Sequence, residues 1–168
     1  VPVILLSDEL IGHLREKIEL PHPQEIAIVN RKKPEVPREE FEPCAAPDDG
    51  VPPMACFGEG YRVSGYTAMV RNHRGDPTLD PKIQDSLARR LHNKIYKHLD
   101  EILFWEQFQL EDADLAIVAY GAPVRSALRA MKMAREKGLR VGVFKAITIW
   151  PFPDPLIGAL SARTRKII

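Results

Sequence analysis

The chain opens on an apolar run, Pro2–Leu6, that reads as a buried strand. Leu10, Ile11, Leu14 and Ile18 then recur at helical spacing, which predicts a helix over 8–19 with Ser7 as its N-cap. From 21 to 57 the periodicity stops, and more than half of the fifteen prolines fall there. Proline fixes φ and removes a donor, so only one short edge strand is expected, within "QEIAIVNRKK", in an otherwise extended connector. Asp80 followed by Pro81 marks a helix start. Ile83, Leu87, Leu91, Ile95, Leu99, Ile102 and Phe104–Trp105 continue at helical spacing and predict one long amphipathic helix over 80–109. Its other face carries Lys82, Arg89, Arg90, Lys94 and Lys97. Beyond it the period alternates between strand and helix. A strand is expected at 114–120, and a helix at 124–137 with Val124, Leu128, Met131 and Ala134 inward and Gly138 closing it. A strand at 140–145, a "WPFPDP" turn, a helix at 155–162 and a strand from 166 follow. That β-α-β-α-β order predicts a parallel sheet with right-handed crossovers.

Charge and cysteine content narrow the function classes. A formal net charge of +1 gives no global attraction to nucleic acid or to a membrane surface. No apolar run reaches the roughly 18 residues that span a bilayer. Cys44 and Cys56 lie twelve apart without a CxxC, which predicts plain thiols in a reducing cytoplasm rather than a disulfide framework or metal site. The first residue is not Met, and "RTRKII" reads as a strand just begun, so the chain is expected to be an internal fragment.

The candidate chemistry is modest. "AYGAPVRSA" offers a helix N-terminus to an anion, or is only a tight turn. It lacks the further glycines of a dinucleotide fingerprint and any Walker lysine. His13, His22, His92 and His98 show no metal spacing and read as solvated. Asp8 and Glu9 follow the first predicted strand, where they either face a site or favour a helix's first turn. In "EGYRVSGYTAMVRNHRGDPTLDP", Arg62, Arg71, His73 and Arg74 stand with Tyr61 and Tyr66. Guanidinium groups bind carboxylates in pairs of hydrogen bonds, so this stretch is a candidate pocket for a carboxylate or phosphate. A grip on single-stranded nucleic acid and a merely solvated loop are the other readings. Trp150 and Phe152, between prolines, either plug their own core or face a subunit interface.

Several of these stretches together resemble one family. "PVILLSDELIGHLREKIELP", "DDGVPPMACFGEGYRVSG", "EDADLAIVAYGAPVRSALRAMKMAREKGLRVGVFKAITIWPFP" and "RKII" are similar to the α subunit of 2-oxoacid:ferredoxin oxidoreductases, particularly the 2-oxoglutarate type. The resemblance implies an α/β fold in pieces. Residues 1–20 would end a thiamine pyrimidine-binding-type domain, and 21–79 would be a proline-rich connector and loop. The long helix would span 80–109, and 110–168 would open an incomplete transketolase C-terminal-like three-layer domain. It also implies CoA-dependent oxidative decarboxylation of a 2-oxoacid with electrons passed to ferredoxin. Thiamine pyrophosphate, Mg²⁺ and a 4Fe–4S cluster would belong to the assembled enzyme and its β subunit, with γ and δ subunits as further candidates. No catalytic residue is assigned within this chain. Arg62, Arg71, His73 and Arg74 are the candidate contacts to substrate or CoA, and Trp150 and Phe152 the candidate interface. The chain departs from the family where Ser64-Gly65-Tyr66-Thr67 lead into Met69-Val70-Arg71 and Asn72-His73-Arg74 instead of an acidic run, and at Lys145-Ala146, where Arg-Pro is common. Another thiamine enzyme, of transketolase or 2-oxoacid dehydrogenase β type, and a non-enzymatic interaction module stay open as alternatives.

Overall fold

The computed structural model describes residues 3–63 and 69–168. Along the chain the elements are α1 (Glu9–His13), a 3-10 turn (Pro23–Glu25), α2 (Pro81–Tyr96) and α3 (Leu99–Ile102). Then come β1 (Trp105–Phe108), β2 (Leu115–Ala119), α4 (Pro123–Arg135), β3 (Val141–Ala146), α5 (Asp154–Arg163) and β4 (Lys166–Ile167). They fall into two compact units, one of residues 1–18 with 99–168 and one of residues 19–98.

The first unit is built on a mixed, mostly parallel sheet of order β1-β3-β2-β4. β2 runs parallel to both β3 and β4, as the alternating periods predict, and Ile117 stands opposite Val143. Successive side chains on a strand point to opposite faces, so each strand here feeds two cores. On one face Val141 and Val143, with Leu115 and Ile117, pack with Ala127 and Met131 of α4. On the other, Ala116, Phe144 and Ala146 pack with Leu110 and with Leu160 of α5. The sheet is therefore a filling between two helical layers, which explains why β3 reads as a nearly continuous apolar run. Gly142 lies where β3 meets the turn after β1. A Cβ there would stand 2.6 Å from both the Gln109 carbonyl oxygen and Leu110 Cδ2. Only glycine permits that approach.

Arg135, at the last turn of α4, ties this layer down. Its Nε donates to the Val141 carbonyl at 2.7 Å, and its Nη2 to the Gln109 carbonyl at 2.8 Å. The same guanidinium grips Asp112 with both terminal nitrogens. Arg140 holds Asp114 through a second two-pronged pair. Each arginine holds its partner aspartate below the ordinary carboxylate range.

The long helix predicted over 80–109 is not continuous. α2 starts as expected, with Asp80 accepting from the Lys82 N–H at 2.8 Å and Pro81 at its first position. It stops at Tyr96; α3 is a single turn, and Trp105–Phe108 is a strand antiparallel to β3. Ladder pairing with β3 captures the aromatic segment that helical spacing had assigned to α2. Thr148 fixes the entry: its hydroxyl accepts from the Phe104 N–H at 3.1 Å and donates to the Ile102 carbonyl at 2.8 Å.

The N-terminal expectations fail as well. Val3–Leu6 forms no strand and is exposed, because no neighbouring strand offers it hydrogen bonds. α1 has five residues rather than twelve, and its cap is Asp8, not Ser7. Leu10 is 72% exposed and Ile18 lies outside the helix. A short helix with no packed face has little to extend it. "QEIAIVNRKK" contains only part of the 3-10 turn, capped by His22 and Glu25 in a reciprocal box.

The second unit has one substantial helix, α2, and loops. Phe41 is buried and meets Tyr61 edge-on at 5.2 Å. Gly50, at φ +74°, lets its loop lie against α2, where a Cβ would come 3.2 Å from Lys94 Cβ. Polar pairs complete the fastening: Lys32 with Asp49, Lys33 with Glu59 and Arg62 with Asp76.

Candidate anion-binding cleft

The basic stretch singled out from the sequence folds into a closed loop. Asn72 N–H donates to the Asp76 carbonyl at 2.9 Å, Thr78 N–H to the Val70 carbonyl at 2.9 Å, and Arg71 bridges Pro77. Asn72 Oδ1 accepts from the Asp76 N–H at 3.0 Å, and Gly75 takes φ +85° at the tip. Residues Asn72 to Asp76 thus hydrogen-bond mostly to one another, and the side chains they do not use are presented outward.

The candidate residues divide. Arg62 and Arg74 come together with Arg38, Glu39, Glu40, Phe41 and Glu42 around a cleft of about 370 Å³. Arg71 instead turns inward and donates to the Gly75 carbonyl at 2.8 Å, and it does not line the cleft. His73 is exposed; its carbonyl accepts from the Cys44 N–H at 3.0 Å, which fastens the loop to the proline-rich connector. Tyr61 donates to the Val36 carbonyl at 3.3 Å and supports the cleft through Phe41. Tyr66 lies outside the described residues.

Arg38 and the three glutamates were missed. They sit in "PREEFE", within the stretch read from the sequence as an extended connector, and the burial of Phe41 gives that run an inside. Arg38 lies flat over Gly60, where a Cβ would stand 3.1 Å from the guanidinium carbon. Three arginines thus face three glutamates, and the lining is neutral overall. Arg62 is committed to Asp76. Arg38 and Arg74 form no ion pair among the described residues, and they are the cations available to a carboxylate or phosphate. The described lining offers guanidinium groups and carboxylates, groups suited to bind and orient an anionic ligand.

The other candidates resolve into structural roles. Asp8 caps α1, with its carboxylate 2.8 Å from the Ile11 N–H. At Gly121, φ +62°, the Val124 N–H turns back to the Gly121 carbonyl at 3.2 Å, as in a tight turn. His92 stacks on Tyr96 at 3.9 Å, His13 bonds the Glu9 carbonyl, and His22 caps the 3-10 turn. In the "WPFP" turn the prolines Pro151 and Pro153 fill the core, while Trp150 is 67% and Phe152 45% exposed. The aromatics therefore do not plug their own core. Burial pushes the Cys44 thiol up, against the pull of Arg90 and Arg71, so it stays protonated.

No three His, Cys, Asp or Glu side chains among the described residues are grouped to hold a metal ion. A 4Fe–4S cluster takes four thiolates and the whole chain has two cysteines, so the residues present do not fit that group. No helix among the described residues is long and apolar enough to cross a membrane.

Residues 113–168, which hold β2 to β4 and both packed helices, match the family model for pyruvate:ferredoxin oxidoreductase core domain II. Across the whole chain, 43% of residues are identical to the 2-oxoglutarate synthase subunit KorA of Methanothermobacter thermautotrophicus, over 100% of this chain and 44% of that subunit. The chain is thus similar along its whole length to part of a 2-oxoglutarate synthase subunit. The corresponding subunit of Methanocaldococcus jannaschii is 45% identical over 97% of this chain and 43% of its own length. The chain therefore spans less than half the length of these α subunits. Among solved structures, the 2-oxoglutarate:ferredoxin oxidoreductase from Magnetococcus marinus, with 2-oxoglutarate, coenzyme A and succinyl-CoA bound, superimposes with a TM-score of 0.75. That likeness covers 89% of this chain and 26% of that one, at 25% identity.

Proposed function

We propose that the chain is a segment of the α subunit of a 2-oxoglutarate:ferredoxin oxidoreductase, acting in CoA-dependent oxidative decarboxylation. The observation that carries this reading is an overall identity of 43–45% in matches that span 97–100% of this chain, so the connector and the basic loop fall within the matched length along with the sheet. A shared fold alone would have preserved the sheet pattern without the connector. In the assembled enzyme, thiamine pyrophosphate, Mg²⁺ and a 4Fe–4S cluster belong to other parts of the subunit and to a β subunit, and ferredoxin is the electron acceptor. The two thiols suit a reducing cytoplasm.

Within that enzyme the sheet of residues 110–168 acts as scaffold and as a transketolase C-terminal-like domain. Residues 1–20 end the pyrimidine-binding-type domain, and Trp150 and Phe152 face a partner subunit. The cleft of Arg38, Arg62 and Arg74 contacts an anionic group of the 2-oxoacid or of CoA. Arg71 and His73 hold the loop that presents Arg74. The glutamates beside these arginines keep an empty cleft from collecting anions unselectively, because its net charge is zero.

The test is dye reduction by the purified parent assembly. Methyl viologen should be reduced when 2-oxoglutarate and CoA are both supplied, and more slowly with pyruvate. Reduction independent of CoA, or none with any 2-oxoacid, would refute the reading.

A further inference from the structure

A backbone hydrogen bond sets up an unusual side-chain pair in the connector. The Met54 N–H donates to the Lys32 carbonyl at 2.8 Å, which lays residues 31–33 beside 54–56. The side chains then meet across the two segments. Arg31 donates to the Met54 sulfur, and Lys33 Nζ lies 2.5 Å from Cys56 Sγ. Glu59 holds both members of the second pair. Its Oε2 accepts from the Cys56 N–H at 2.8 Å, and its Oε1 lies 3.5 Å from Lys33 Nζ. Cys56 is exposed, and the Lys33 side chain is about half exposed, so a small oxidant reaches both. Cys44 provides the contrast within the same unit. It is half-buried, and no amine bonds its sulfur among the described residues.

We propose that Lys33 and Cys56 form a covalent modification site, joined through one oxygen atom into a nitrogen–oxygen–sulfur bridge by dioxygen. An S–O and an O–N bond form, and the S–H bond and one N–H bond break. The two hydrogens leave with the second oxygen atom as water. Sulfur and nitrogen each give up two electrons, which together complete the reduction of dioxygen. The bridge straps residue 33 to residue 56 just ahead of Arg62, and so stiffens one side of the connector that carries the cleft. A thiol-reducing agent reopens it and returns amine and thiol.

The experiment uses the full-length subunit in its native assembly, purified without oxygen and then exposed to air-saturated buffer. Peptide mass spectrometry should find the Lys33 and Cys56 peptides joined, with one oxygen gained and two hydrogens lost. Dithiothreitol should separate them. The joined species should disappear in Lys33→Arg, which keeps the charge without a primary amine, and separately in Cys56→Ser. Wild-type melting temperatures for the two variants would show that its loss is not unfolding. Oxidation of Cys56 to a sulfinic acid without joining, a joined species that persists in Lys33→Arg, or an unaltered pair after exposure would each overturn the proposal.

Discussion

The sheet unit and the connector unit hold themselves together by different means. Between 110 and 168 every strand and helix sends side chains into one of two apolar cores, and Phe144 and Val143 are almost wholly excluded from water. Among the described residues between 19 and 98 the buried apolar side chains are Phe41, Pro43 and Ile95, and the remaining order comes from turns, proline stiffness and exposed ion pairs. Burial is non-directional and scales with area, whereas an exposed pair contributes little beyond fixing geometry. The first unit is thus suited to be a scaffold. The second is suited to place particular side chains, such as Arg38 and Arg74, at the surface.

The sharpest way to break this contrast is Phe144→Ala. It should cost about 4 kcal/mol in denaturant unfolding, because it empties a site between β3 and α5. Gly142→Ala comes next, at about 3 kcal/mol, because the added methyl meets the Gln109 carbonyl oxygen and Leu110 Cα, backbone atoms that cannot swing aside, as well as the buried Leu110 side chain. Arg135→Met should cost about 2 kcal/mol, since it leaves the Gln109 and Val141 carbonyls without their donor. Arg74→Ala is expected to leave stability alone and to raise KM for CoA or the 2-oxoacid about tenfold, equivalent to about 1.4 kcal/mol. Unchanged KM values for both would remove the cleft from the catalytic cycle. The mildest effect is acid dependence. Asp112 and Asp114 have folded pKa values below the unfolded value of about 3.9. Their contribution is present above that pH and lost as pH falls through the lowered folded values. Asp112→Asn should therefore lower stability modestly at neutral pH, flatten the acid limb of the profile, and converge with the wild type once both aspartates are protonated.

The same contrast explains what could be read from the sequence. From Leu115 onward, period and position agree, because the residues the spacing turns inward, such as Val124, Leu128 and Met131 of α4, are the ones the structure buries or packs against a core. Upstream, spacing misled twice. Apolar residues four apart run from Ile83 to Leu99, across the end of α2, and periodicity carries no mark of where a helix gives way to a ladder partner. Leu10, Leu14 and Ile18 have helical spacing but no surface to pack on, so the pattern produced only five helical residues. For the site, the structure brings two of the four residues of the basic stretch, Arg62 and Arg74, to one cleft. Arg38 was invisible because it joins them only through the packing of Phe41 against Tyr61, a contact twenty residues apart in an acidic, proline-rich run.

Product analysis of the purified parent assembly tests the central claim most directly. Supplied with 2-oxoglutarate labelled at its first carbon, CoA and oxidised ferredoxin, it should release labelled carbon dioxide and form succinyl-CoA in equal amounts while ferredoxin is reduced. Labelled carbon dioxide without the thioester, or no turnover of 2-oxoglutarate at all, would contradict it.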